Sequence, residues 1–266
     1  MDSERDTRIF KKITSIITTQ DKTSYIGQDD VVSLVKDGIS ISFHLKNSEL
    51  DIVNIFRTVK RTQKLVKVRF DIDVEQITIN IYDSNEELRQ NVYAPSRYGS
   101  WIAGIYDGEI RIISERNADE LDALYIIITH EIIHLAIRRL SGGQCPYWLD
   151  EGLAVYLSQE LPQHYQLVIC AAARNDTMLP LESLEKPPGV KLKEEARVLA
   201  YAESAFMVNY LCENYDWEKI KAAVRKSRNK NKEQILAEMG LNYYLLELAC
   251  KRWILTDWYK DLSKIV

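Results

Sequence analysis

The residues best suited to chemistry lie between positions 130 and 156, where the segments HEIIH and LDEGLAVY stand on either side of a turn. His130 and His134 are four residues apart, so on a helix their imidazoles share one face, one turn apart. Glu131 lies beside them and can reach a water molecule held between the imidazoles. Two neutral imidazoles with a neighbouring carboxylate are typical of a catalytic zinc site. The pattern predicts His130 and His134 as zinc ligands and Glu131 as general base.

The surrounding residues, 118–140, have the features of one buried helix. They include no glycine or proline, and their middle is apolar on all sides. Asn117 or Asp119 can cap the start, and residues 141–143 (Ser-Gly-Gly) end the helix. The pattern leaves one alternative open, in which both histidines are ordinary core residues with Glu131 as a neighbour.

A second helix is predicted to supply the third ligand that a catalytic zinc needs beside its water position. It begins near Pro146, soon after the Gly-Gly turn, and such a short connection makes two helices antiparallel neighbours. Glu151 in its first turn would face the histidine pair, and Asp150 would orient a ligand histidine. Gly152 and Ala154 are small, which favours close approach of the two helices.

HEIIH followed by PYWLDEGLAVY resembles the gluzincin metallopeptidases. The resemblance is closest to the small peptidase MA-like family. It is more distant to the aminopeptidase N family, in which the residues that correspond to His134 and Glu151 are further apart in sequence. It implies that His130, His134 and Glu151 bind one Zn²⁺ and that Glu131 is the catalytic base.

The segment from Tyr201 to Ser204 is a second point of resemblance, since the family has a Tyr-x-x-Ser segment after its zinc glutamate. Amide hydrolysis creates an oxyanion that a donor opposite the metal can stabilise. The resemblance makes Tyr201 the predicted transition-state donor, with a packed tyrosine as the alternative. Tyr156 is five residues beyond Glu151, faces away from it on a helix, and is predicted to be structural. A loose match to the family's closing pattern comes from Gly240, Leu246, Glu247 and Trp253.

The first half of the chain is predicted to form a small mixed α/β layer. Asp37-Gly38 predicts a β-hairpin of residues 31–35 and 39–45, and Asp107-Gly108 predicts a second, two-residue turn between residues 101–106 and 109–113. Residues 48–66 have helical period and residues 74–82 alternate as a strand.

Zincins in general have an edge strand before the active-site helix, and it binds extended peptide through main-chain hydrogen bonds. The resemblance therefore implies that residues 101–104 or 109–113 form this strand. Ala103 and Gly104 are small enough for close backbone approach and are the predicted substrate-binding residues. An ordinary hairpin of the sheet is the alternative.

The second half of the chain is predicted to be helical, at residues 161–173, 196–215, 216–227, 232–239 and 241–263. Residues 175–193 carry three prolines and a glycine and predict a loop, lid or lobe boundary. We expect an α+β, zincin-like fold. Its parts would be an arm and hairpin (1–45), an α/β lobe with the zinc helices (46–160) and a helical lobe (161–266), forming one catalytic unit.

Composition excludes several classes of function. The 266 residues carry a net charge of −4, which gives no electrostatic case for nucleic acid or an anionic membrane surface. The first residues are charged and do not resemble a signal peptide, and no apolar stretch reaches the roughly 18 residues of a membrane span. The four cysteines lack ligand spacing and are expected to be reduced, in the cytoplasm.

These observations favour a zinc metallopeptidase that hydrolyses a peptide or protein substrate, with endo- or exopeptidase action left open. Two alternatives remain: a regulatory or binding module that keeps a structural zinc, and a dedicated protease of one partner protein. The sequence indicates no particular oligomeric state.

Overall fold

The computed structural model describes residues 25–28, 31–44, 52–92, 104–113, 121–161, 163–189, 193–229 and 232–258. The chain has an α+β fold and divides into two compact units. One unit comprises Met1–Lys67 and Asp73–Ile132, and the other comprises Val68–Ile72 and Ile133–Val266. The division falls inside two continuous helices, Ile52–Phe70 and Leu121–Ser141, the second of which carries HEIIH.

The described strands of the first unit form one six-stranded sheet in the order β1-β2-β3-β4-β6-β5. The strands are β1 (Tyr25–Gln28), β2 (Val31–Lys36), β3 (Ile39–His44), β4 (Ile77–Tyr82), β5 (Gly104–Tyr106) and β6 (Ile110–Ile113). β3, β4 and β6 are parallel to one another, whereas β1, β2 and β5 pair antiparallel with their neighbours. β1 and β5 are thus the edges of the described sheet.

The first predicted hairpin is confirmed, because β2 and β3 flank a turn in which Asp37 and Gly38 have φ of 50° and 78°. The predicted two-residue turn of the second hairpin is wrong. Tyr106 pairs with Ile110, so the turn holds three residues, closed by a hydrogen bond from Asp107 N to Glu109 O. The guanidinium of Arg111 bonds both acids of this turn and favours the longer loop.

Two helices accompany the sheet, α1 (Ile52–Phe70) and α2 (Asn85–Gln90). The predicted helix at 48–66 is therefore confirmed but ends later, and residues 45–51, with its proposed cap Ser48, lie outside the described residues. The core of this unit is aliphatic, and several side chains have no exposed surface: Ile39, Ile41, Ile55, Val59, Val66, Ile79 and Ile112. Burial on this scale is the main force that fixes the sheet.

The helix α3 (Leu121–Ser141) spans the division between the units. The second unit continues with α4 (Tyr147–Ser158), α5 (Gln163–Asn175), α6 (Glu194–Asn214), α7 (Trp217–Ser227), α8 (Lys232–Ile235) and α9 (Tyr243–Trp253). A 3₁₀ turn, Leu181–Glu185, lies in the predicted loop. The helical second half is thus confirmed. Pro162, proposed to open α5, the proposed caps Asn117 and Asp119, and residues beyond Trp258 lie outside the described residues.

Gly152 packs α4 against α6 rather than against α3 as we predicted. A Cβ at Gly152 would lie 2.2 Å from the Ser204 backbone oxygen and 2.5 Å from Val208 Cγ2. Only glycine permits this approach, since the nearest atom is main chain. The contact fixes α4, which carries Glu151, on α6, which carries Tyr201.

No described helix combines the length and apolar character that crossing a membrane requires. All four cysteines are free thiols, and burial raises the pKa of Cys145, Cys170, Cys212 and Cys250 above the ordinary value. A raised pKa disfavours the reactive thiolate form at neutral pH.

Candidate metal centre and active site

Helix α3 holds the HEIIH residues in a largely buried setting. His130 and Glu131 are 7% and 6% exposed, and Ile132 and Ile133, which follow them, have no exposed surface. Because the helix is continuous through these positions, His130 and His134 stand one turn apart on the same face. The predicted helical spacing is confirmed.

The first turns of α4 bring two carboxylates to His134. The helix begins at Tyr147, after Pro146, so Glu151 opens its second turn rather than lying in the first as we predicted. Asp150 Oδ1 lies 2.8 Å from His134 Nδ1, and Glu151 Oε2 lies 3.8 Å from His134 Nε2. A carboxylate accepts a hydrogen bond, so Nδ1–H donates to Asp150 and Nε2 keeps its lone pair for a ligand role.

One ligand atom from each of His130, His134 and Glu151 lies within 4.8 Å of the other two. Two imidazole nitrogens and one carboxylate oxygen form a donor set that zinc prefers. Two ligands of one tetrahedral zinc are roughly 3.4 Å apart when each lies about 2.1 Å from the metal. The 3.8 Å between His134 Nε2 and Glu151 Oε2 is close to that separation, so this pair suits a tetrahedral metal ion, with His130 as the third possible ligand.

A second group of possible ligands, His44, Asp83 and Glu87, occurs in the first unit. Its geometry is explained by hydrogen bonds: Glu87 Oε1 lies 2.6 Å from His44 Nε2, and Glu87 Oε2 accepts from the Asp83 backbone N–H at 2.8 Å. Ser84 caps the same helix, α2, by accepting from Glu87 N. These contacts fix the start of a short helix.

Gly104, at the start of β5, lies directly against Glu131. A Cβ at this position would be 2.8 Å from Glu131 Oε1 and 2.7 Å from Ile127 Cγ2. The absence of a side chain at Gly104 thus leaves room for the carboxylate of Glu131. Ala103, the other predicted substrate-binding residue, lies outside the described residues.

The strand β5 is an edge of the described sheet, whereas β6 pairs with β4 on one side and β5 on the other. Of our two candidate segments for strand addition, residues 109–113 are therefore excluded, since their main-chain groups are already paired. Among the described strands, Gly104–Tyr106 pairs with β6 and lies at the edge of the sheet, where strand addition takes place.

Tyr201 lies on α6, and its surroundings are those of a buried phenol near negative charge. Burial first, then the charges of Glu151 and Glu160, raise the pKa of Tyr201 well above the ordinary value. Its hydroxyl therefore stays protonated and can donate a hydrogen bond at neutral pH. By contrast, the pKa of Tyr156 is raised by burial first and then by Cys212 and Glu213, against the lowering effect of Arg69, which agrees with a side chain that faces away from Glu151.

Two further tyrosines near Glu151 were not found from the sequence. Burial and then the charge of Glu151 raise the pKa of Tyr147, and the Tyr165 ring lies 5.0 Å from the Tyr201 ring. Tyr147 precedes Glu151 by four residues, a helical spacing that could have identified it. Tyr165 is on a different helix, α5, and nothing local to its sequence points to the site.

The comparison with protein families agrees with this arrangement. A family model described as Peptidase MA superfamily matches residues 59–256, which is more than half of the chain and includes the HEIIH helix, Glu151 and Tyr201. No curated protein and no solved structure gives a significant match. The length of the family match shows that this chain belongs to the Peptidase MA superfamily.

Proposed function

We propose that the protein is a zinc metallopeptidase of the gluzincin type with a zincin-like active site. The observation that carries the proposal is the grouping of His130, His134 and Glu151, with Glu131 on the same helix as the two histidines. Membership of a peptidase superfamily supports hydrolysis of a peptide or protein substrate. One Zn²⁺ held by these three residues would lower the pKa of a water molecule and polarise the scissile carbonyl.

Glu131 is the general base in this proposal. Its carboxylate takes the proton of the attacking water and then delivers it to the leaving amine. Support comes from its burial and from Gly104, whose lack of a side chain leaves the Glu131 carboxylate in place. A purely structural metal site would have no use for this carboxylate.

Tyr201 and Asp150 have supporting roles in this proposal. Tyr201 donates its hydroxyl hydrogen to the developing oxyanion, for which its raised pKa keeps the proton available. Asp150 accepts from His134 Nδ1 and so orients the imidazole and fixes its tautomer. A donor that is fixed before reaction costs little reorganisation in the transition state.

An extended substrate would bind along β5, an edge strand of the described sheet, by main-chain hydrogen bonds. Such bonds hold a peptide without reading its sequence. Gly104 contacts Glu131, so a peptide on this strand would pass close to the general base. Ala103, which precedes Gly104 in the sequence, is proposed as a substrate-binding residue as well.

The test is cleavage of an unbiased peptide library by wild type, Glu131→Gln and the control Glu195→Gln, an exposed carboxylate on α6. Wild type and the control should cleave alike, and Glu131→Gln should lose at least about 100-fold in rate with its zinc retained. Undiminished cleavage by Glu131→Gln would remove the general base from the proposal. Bound zinc without cleavage in any variant would favour a structural site or a dedicated partner protein.

A further inference from the structure

Three aromatic side chains form a row on the helices that flank Glu151. The His164 and Tyr165 rings on α5 have centroids 4.2 Å apart at 58°, and Tyr165 and Tyr201 have centroids 5.0 Å apart at 50°. We call His164, Tyr165 and Tyr201 the aromatic row. His164 is exposed, and Tyr165 and the more deeply buried Tyr201 each keep a minor part of their surface accessible, so a ligand can reach the row from the His164 end.

The charges of two carboxylates, Glu151 and Glu160, act on the two tyrosines of this row. Burial and then the charges of Glu160 and Glu151 raise the pKa of Tyr165 to about 12, and the same two acids raise the pKa of Tyr201. Glu160 follows the C-terminal cap of α4, Gln159, and its backbone N–H donates to Val155 O at 3.1 Å. The backbone of Glu160 is therefore held in a defined place, and its partly buried side chain is near enough for its charge to raise the pKa of Tyr165 and Tyr201.

We propose that the aromatic row and Glu160 form a subsite that binds a basic side chain, arginine or lysine, of the peptide substrate next to the scissile bond. The inference rests on the proposed peptidase function, since the row is placed beside the scissile bond by Tyr201, the proposed oxyanion donor, and by Glu151, the proposed metal ligand.

The chemistry of the row selects a cation over other groups. The faces of aromatic rings attract cations, and a flat guanidinium can also stack on them. Glu160 adds a full negative charge, which favours a cationic side chain and repels an acidic one. A neutral apolar side chain would gain the ring contacts alone. Arginine should therefore be preferred over a neutral residue of the same shape.

The experiment compares pairs of peptides that differ only in one residue, arginine or its uncharged isostere citrulline, placed in turn at each position flanking the cut. The zinc-loaded full chain is used, and kcat/KM is measured for each pair. Wild type should prefer arginine by roughly tenfold at one position, the size expected of a partly desolvated cation–π contact with a carboxylate nearby.

Two variants test which groups cause the preference. Glu160→Gln and Tyr165→Leu should each reduce the ratio of arginine to citrulline cleavage at least threefold at that position, with zinc content unchanged. Glu195→Gln removes the same charge from an exposed site of α6 and should leave the ratio as in wild type. Circular dichroism and zinc content check that the variants are folded.

Equal cleavage of both peptides by wild type, or a ratio that survives in both variants, would overturn the subsite while leaving the peptidase intact. Absence of hydrolysis of every peptide by zinc-loaded wild type would overturn the proposed function and the subsite with it.

Discussion

Replacing Gly104 with alanine should separate catalysis from stability. The added methyl group would lie 2.8 Å from Glu131 Oε1, 3.2 Å from Glu131 Cγ and 2.7 Å from Ile127 Cγ2. Carbon and oxygen atoms in ordinary contact are about 3.5 Å or more apart, so the carboxylate must move by about 0.7 Å or more. The end of a glutamate side chain can make this movement.

Because a misplacement of about 1 Å costs roughly 100-fold in rate, Gly104→Ala should lower kcat by about that factor. The free energy of unfolding should fall by only about 1–2 kcal/mol, the lower part of the range for an overpacked core site. That corresponds to a lowering of Tm by about 2–8 °C for a chain of this size.

The assay is steady-state cleavage of one library-derived peptide, alongside zinc content and a thermal melt. The matched control is Gly189→Ala, since Gly189 is exposed and an added Cβ there meets no atom within 4 Å. A displaced base lowers kcat, whereas a blocked substrate strand raises KM. Wild-type kcat in Gly104→Ala would refute the claim that Gly104 holds Glu131 in its catalytic position.

Three further variants test the packing of α4 on α6, the proposed oxyanion donor and the buried carboxyl group of Glu203. Gly152→Ala should lower the free energy of unfolding by about 3 kcal/mol or more in a denaturant titration, because its methyl group meets the Ser204 backbone oxygen, which cannot move alone; stability equal to wild type would contradict the packing. Tyr201→Phe should keep zinc and lose about 100-fold or more in kcat, and unchanged kcat would assign the donor elsewhere. Burial raises the pKa of Glu203 from 4.5 to about 8, so the folded chain keeps a proton that the unfolded chain releases between these values. Stability should therefore fall by a few kcal/mol as pH rises from about 5 to 8. Glu203→Gln, whose amide oxygen still accepts from Leu179 N, should lose this decline in thermal melts, and an equal decline in the variant would point to another group.

The sequence could predict the parts of the site that are local. His130, Glu131 and His134 follow from helical spacing, and the Asp150-Glu151 pair follows from the short connection between α3 and α4. The Asp37-Gly38 hairpin is equally local, since a turn with positive φ needs these residue types. In each case the interacting residues are neighbours in the chain.

Contacts between distant segments could not be predicted in the same way. The pairings β3-β4 and β4-β6 are parallel and cross long connections, so the sequence left open which strand forms the edge. Tyr165 meets Tyr201 across α5 and α6, and Gly152 meets Ser204 across α4 and α6. Such pairs depend on how helices pack, which no short motif encodes.

The turn at Asp107-Gly108 shows how a side chain can override a local signal. Asp-Gly favours a two-residue hairpin turn, but the turn holds three residues. Arg111 donates to Asp107 at 3.2 Å and to Glu109 at 3.0 Å, and the longer loop brings both acids to one guanidinium. Turn propensity alone does not include this ion pair.

The most direct test of the central claim is the zinc content of the purified chain, measured by elemental analysis for wild type, His130→Ala, Glu151→Gln and Glu131→Gln, with peptide cleavage recorded on the same samples. We expect about one zinc per chain in wild type and in Glu131→Gln, with cleavage in wild type alone. His130→Ala and Glu151→Gln should lose both metal and cleavage. Full zinc content in His130→Ala and Glu151→Gln, or cleavage by Glu131→Gln at the wild-type rate, would contradict it.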